Sequence, residues 1–117
     1  MDIRFSSRGN TLIAAVAGEL DHHYADQARQ KLERELMKSS TRNMVFDFTG
    51  LTFMDSSGIG VIAGRYKNLH RLGGKAAIVC SSRQIERILE MSGIPKYIPV
   101  FEKLADAVTS VQGIGIS

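Results

Sequence analysis

The stretch Phe53-Met54-Asp55-Ser56-Ser57-Gly58-Ile59-Gly60 sets an acid and two hydroxyls between an apolar pair and a glycine-punctuated run that continues as Val61-Ile62-Ala63-Gly64-Arg65. Three chemistries use such residues. A serine beside an acid could be a nucleophile, and glycines ahead of a helix could cradle a phosphate. A serine held out at a helix start could instead be the target of another protein's active site.

A serine nucleophile needs a base within hydrogen-bond reach and a group that orients the base. The histidines are His22, His23 and His70. The first two fall at a strand end that the fold could bring to the turn. No glycine precedes the serines at the spacing of a nucleophile elbow, however, and a small filled core leaves little room for a substrate cleft. Hydrolysis is therefore disfavoured.

Gly58-Ile59-Gly60-Val61-Ile62-Ala63 satisfies the permissive dinucleotide pattern G-x-G-x-x-A and leads into helical spacing. Its context is poor. Several residues separate it from the strand that ends at Phe48, and Asp55 puts negative charge where a pyrophosphate would sit. The next strand ends at Cys80-Ser81-Ser82 without a ribose-binding acid. A small nucleotide-binding domain using Gly58 to Ala63 is the second reading. On the third, Ser56 and Ser57 stand where free backbone N–H groups and the positive end of a helix dipole tolerate phosphate. Gly58 and Gly60 would then let another protein's active site approach the backbone. A serine that merely N-caps the helix, with glycines that merely permit packing, explains the same residues. The residues alone leave both open.

Two further features bear on the site. His22 and His23 are adjacent, so their side chains leave a helix about 100° apart and cannot share a metal as i,i+4 ligands would. They read as a cap or as polar surface, and no cofactor is expected. Ile59, Val61 and Ile62 are too many apolar residues for one buried stripe, which makes Ile59, at the tip, the expected exposed apolar anchor.

The elements that must position these residues follow from periodicity. Ile3, Phe5 and Ser7 alternate, Gly9-Asn10 breaks the pattern, and Thr11 to Gly18 is almost wholly apolar, which predicts a β-hairpin whose second strand ends at Glu19-Leu20-Asp21. Asp21 is the expected N-cap of an amphipathic helix from His22 to Lys38, with Ala25, Ala28, Leu32 and Leu36 on one face. Met44 to Phe48 reads as a strand, Thr49 to Asp55 as a loop, and about Ser57 to Leu72 as a helix closed by Gly73-Gly74. Lys75 to Cys80 is a buried strand. Ser82 caps a helix from Arg83 to Met91 that Gly93 ends, and Ile98 to Phe101 and Leu104 to Val111 are a last strand and helix. The alternation predicts an α/β fold whose mixed sheet starts with a hairpin, becomes parallel, and packs against about four helices.

At 117 residues the chain suits one domain spanning 1–117. Its 44% hydrophobic and 23% charged residues are those of a globular domain. No apolar run approaches the roughly 20 residues of a membrane span, and Met1-Asp2-Ile3-Arg4 lacks the apolar region of a signal peptide, so a cytoplasmic protein away from membranes is expected. Cys80 ends an apolar run and reads as a buried small hydrophobe. The net charge of +3 owes much to Arg65, Lys67, Arg71 and Lys75, which stand with His70 near a predicted helix end, where cations complement the dipole. Without an aromatic stacking platform among them, direct nucleic-acid binding is not expected.

Gly18-Glu19-Leu20-Asp21-His22-His23, Phe53-Met54-Asp55-Ser56-Ser57-Gly58, Gly64-Arg65-Tyr66-Lys67 and Met91-Ser92-Gly93 together resemble the STAS-domain anti-sigma factor antagonists, over roughly Ile3 to Val111. The E-L-D-H-H run is similar to that of the sporulation branch. The resemblance implies a switch protein with no enzymatic activity. Such a protein binds an anti-sigma factor that is also a serine kinase, with that kinase's ADP or ATP, and frees the sigma factor. It is phosphorylated on the serine directly after the Asp, here Ser56, and a PP2C-type phosphatase restores the binding form. The implied partner surface comprises Glu19, Asp21, Asp55, Ser57, Gly58, Ile59 and Gly60, with Arg65 and Ile88 beside it. The implied fold is a small sheet with helices on one side. Lys96 to Ser117 resembles the family only loosely, Gly113-Ile114-Gly115-Ile116 being a faint closing apolar-glycine stretch.

Overall fold

The computed structural model describes residues 1–38 and 40–112, so Gly113 to Ile116 lie outside the described residues. β1 (Asp2–Arg8) and β2 (Thr11–Leu20) form the expected antiparallel hairpin, Arg8 facing Thr11 across Gly9-Asn10. α1 (Ala25–Lys38), β3 (Asn43–Met54), α2 (Ser56–Arg71), β4 (Ala76–Val79), α3 (Arg83–Ser92), a 3-10 turn (Ile94–Lys96), β5 (Val100–Phe101) and α4 (Leu104–Gln112) follow. The strands lie in chain order, β1-β2-β3-β4-β5, and every pair after the hairpin is parallel.

Strict alternation along the central strands sorts the core into two faces. Leu12, Ala14 and Val16 of β2, Met44, Phe46 and Phe48 of β3, and Ala76 and Ile78 of β4 point to one face, where Ala28 and Leu32 of α1, Val61, Ile62 and Leu69 of α2, and Ile85 and Leu89 of α3 meet them. Ile13, Val45, Ala77 and Val79 point to the other, where Ala107, Val108 and Val111 of α4 cover them. The helices are thus not all on one side, as the resemblance implied. β4, buried on both faces, reads as a continuous apolar run for that reason.

β3 differs most from expectation. Thr49 to Met54 is strand, not loop, and it pairs with the second half of β2 through register shifts at Ala15/Ala17 and Gly18/Glu19. Gly18, at φ +91°, supplies the left-handed backbone of the second irregularity, a conformation that favours glycine. Thr52 Oγ1 donates to the Gly18 carbonyl at 3.0 Å across it. The bulges break the alternation that marks a strand, so polar Thr49 and Thr52 looked like loop. α1 likewise starts three residues later than its first predicted residue, because 21–24 form turns.

At the far end of α2, Tyr66 stacks on His70 (centroids 5.4 Å apart, planes at 23°) and on Tyr97 (5.8 Å, 24°). An aromatic stack therefore does accompany the basic helix end, contrary to the sequence reading; Tyr66 spends its ring on its two neighbours. Cys80 is buried as expected. Its thiol donates to the Ser82 carbonyl at 3.3 Å, and burial pushes its pKa up, away from the reactive thiolate.

Candidate functional site

The unforeseen length of β3 is what assembles the site. Parallel pairing sets Glu19 opposite Phe53 and Leu20 opposite Met54, so both strands end together. The exposed Glu19, the half-buried Asp21 and the turn into α2 therefore share one edge of the molecule.

Asp55 ties that edge together. In an extended conformation (φ −120°, ψ −170°) it is the N-cap of α2, and its Oδ1 accepts the Ser57 backbone N–H at 2.9 Å. Its Oδ2 accepts the His22 N–H at 3.1 Å, thirty-three residues away in sequence. Burial disfavours the charged carboxylate, but the N–H donors of Ser57, His22 and Gly58 outweigh it and hold the pKa below the ordinary carboxylate value. Asp21 acts likewise one step earlier: its Oδ1 accepts the His23 N–H at 2.9 Å, and its carbonyl accepts from Tyr24 and Ala25 at 3.1 and 2.9 Å. Asp21 thus caps the turn before α1 rather than α1 itself. The two histidine rings meet edge-on at 5.7 Å, and His23 Nδ1 lies 3.9 Å from Asp21 Oδ2.

Because Asp55 caps the helix, neither serine has to. Ser56, the first residue of α2, is exposed, and its hydroxyl makes no hydrogen bond among the described residues. Ser57 is half-buried, and its backbone N–H is the one Asp55 holds. The local sequence thus leaves one hydroxyl free beside a fixed carboxylate and a helix N-terminus.

The remaining residues divide. Gly58 is buried: a Cβ there would come within 2.7 Å of Met54 Cγ and 2.9 Å of the Leu20 carbonyl oxygen. The glycine thus serves the seating of α2 on β2 and β3, not an open approach to the backbone. Ile59 is half-buried and packs against the core, so it is not the exposed anchor expected of it. Phe53, 39% accessible, is an exposed apolar side chain at this edge, which the sequence reading passed over because it placed Phe53 in a loop. Gly60 is exposed, with nothing within 4 Å of an added Cβ. Arg65 is buried, its side chain 7% exposed, and lies between α1 and α2 with Nη2 3.3 Å from Glu33 Oε2. Burial lowers its pKa, Glu33 raises it, and the net direction is down. Ile88 is half-buried on α3 among Arg87, Met91 and their neighbours.

The STAS domain family matches residues 2–107, and the chain belongs to that family. Within it, the chain is similar to the anti-sigma F factor antagonist of Paenibacillus polymyxa, 34% identical over 112 residues that make up 96% of each protein. Its fold matches that of the anti-sigma factor antagonist SpoIIAA in its unphosphorylated form (26% identity, TM-score 0.82, 97% of this chain and 98% of that one). It also matches the Bacillus cell fate determinant SpoIIAA in the phosphorylated form (25%, 0.72, 94% and 99%). Among the described residues, no helix is long and apolar enough to cross a membrane.

Proposed function

We propose that this chain is an anti-sigma factor antagonist of the partner-switching kind, without catalytic activity of its own. Its unphosphorylated form binds an anti-sigma factor serine kinase, with ADP or ATP in the kinase site, and frees the sigma factor. The kinase transfers the γ-phosphoryl group of ATP to Ser56 Oγ. The hydroxyl proton leaves to a base of the kinase, ADP is the leaving group, and binding ends. A PP2C-type phosphatase hydrolyses the ester and restores the first state. The observation that carries this reading is Ser56 itself, an exposed hydroxyl at the first turn of α2 whose capping duty Asp55 has taken over. The similarity to the Paenibacillus antagonist supports it.

The geometry supports a switch that acts on contact rather than on folding. A phosphoserine carries about −1.5 to −2 charge at pH 7. Beside a helix N-terminus that charge is stabilised by roughly 0.3–1 kcal/mol. At an interface the same group must be desolvated next to the Asp55 carboxylate, whose donors are already spent on its own two oxygens. The second reading, nucleotide binding at Gly58 to Ala63, loses its main residue, since Gly58 is needed against Met54 and Leu20. Incubation with anti-sigma kinases and ATP, followed by mass-spectrometric mapping, tests the proposal. Ser56→Ala abolishes phosphorylation and Ser57→Ala only reduces it; phosphate on Ser57 alone rejects the assignment.

A further inference from the structure

Arg65 is the only charged side chain buried among the described residues. Its Nε and Nη1 are enclosed and have no hydrogen-bond partner among those residues, while Nη2 alone approaches Glu33. Glu33 is itself shared: its Oε1 accepts from Arg29 Nη1 at 2.8 Å, and Arg29 also holds Asp26 at 2.6 Å. A fold seldom buries a guanidinium with donors left over, because each lost its water on folding and gained nothing in return.

The side chain borders a groove of about 510 Å3 between α1 and α2 that Ser57, Gly60, Gly64, His22 and Arg29 also line. A Cβ on Gly60 or Gly64 would meet nothing within 4 Å, so the space above these two positions is open. The groove begins at the proposed docking edge, since Ser57 and His22 both donate their backbone N–H to Asp55. The charged residues that line it are Asp26, Arg29 and Arg65, and Glu33 approaches both arginines from outside the lining. A single carboxylate can take the spare N–H groups of Arg65.

We propose that the groove between α1 and α2 receives a single carboxylate of the docking partner, an Asp or Glu side chain that enters over Gly60 and Gly64 and supplies the acceptor Arg65 lacks. The inference rests on the reading that a partner protein docks at the Asp55–Ser57 edge. Arg65 turns toward the open space above the glycines as the carboxylate arrives. Glu33 keeps Arg29 and is not stranded, and a charge-assisted bond replaces two orphaned donors.

Acetate probes the groove without any partner. In a titration followed by nitrogen-15 NMR, the Arg65 Nε–Hε signal shifts and saturates with acetate, and the shift is lost in Gly64→Leu, which fills the groove. No saturable acetate shift overturns the pocket, as does an equal response to acetamide or to chloride at matched ionic strength, or tighter binding of inorganic phosphate. Gly64→Leu keeps or raises the melting temperature, since leucine is the better helix former, and lowers affinity for the anti-sigma kinase roughly tenfold or more. If wild type binds the kinase and Gly64→Leu binds equally well, the pocket is wrong and the docking reading stands. If wild type fails to bind any such kinase while acetate saturates Arg65, the docking reading fails instead. Should Gly64→Leu unfold, the wild-type acetate titration decides alone.

Discussion

Replacing Asp55 separates its mechanical part from its charge, because its two oxygens have different tasks. Oδ1 caps α2 through Ser57 and Oδ2 holds His22, and with it the start of the segment leading to α1. Losing an N-cap costs about 1 kcal/mol, and losing the partly solvated tie to His22 costs about 1 kcal/mol more. Asp55→Ala should therefore destabilise by about 2 kcal/mol, a fall in melting temperature of roughly 8 °C for a chain of this size. Asn has one carbonyl oxygen, so Asp55→Asn keeps the cap, loses the tie to His22, and falls about half as far. The pH dependence adds a sign. The folded pKa lies below the unfolded value, so the carboxylate's contribution is complete above about pH 5 and is lost as pH drops through the folded pKa. The gap between wild type and Asp55→Asn must then narrow in acid and stay constant from pH 5 upward. Thermal melts by circular dichroism across pH read both effects, and hydrogen exchange at the His22 amide reads the tie directly. Equal stability of wild type and Asp55→Ala, or an Asn variant as unstable as the Ala variant with His22 still protected, would refute the reasoning.

Two other outcomes follow from the same edge. Asp21→Asn keeps its bond from the His23 N–H, so the fold stays intact while association with the kinase slows and becomes less sensitive to salt; stopped-flow rates at two ionic strengths check this, and an unchanged rate opposes a steering role. Gly58→Ala must displace Met54 or the Leu20 carbonyl and loses about 1–3 kcal/mol to overpacking, whereas Gly60→Ala meets nothing and gains up to about 1 kcal/mol of helix propensity, a contrast that denaturant titration resolves.

What could be seen in the sequence was whatever strict periodicity or a cap marks. The hairpin at Gly9-Asn10, the Ser82 cap with Gly93 in the left-handed region closing α3, and the Ala28-Leu32 face of α1 all lie where expected. The second half of β3 was hidden because two bulges interrupt its alternation, although that half carries the Glu19 end to Asp55. The division of helices between two faces was hidden for a different reason. Val45 and Phe46 are equally apolar, and nothing local tells which of them α4 will cover. At the site, the acid and the serines stood out by type. Their division of labour did not, because Asp and Ser are equally good N-caps, and only the contact from His22 shows why the acid holds the post. Ile59 and Phe53 exchanged places for the same lack of tertiary information: an apolar residue after a glycine reads as exposed until the core that receives it is known.

The central claim is that Ser56 is a switch read by contact, and affinity in the two states tests it most directly. The unmodified protein and protein phosphorylated on Ser56 alone are to be titrated by calorimetry against one anti-sigma kinase loaded with ADP, with hydrogen exchange on both forms as the check on folding. Phosphorylation should weaken binding roughly a hundredfold or more, equivalent to about 2.7 kcal/mol, while the protection of β2, β3 and β4 stays unchanged. Equal affinity of the two forms, or a phosphoprotein whose sheet opens, would contradict it.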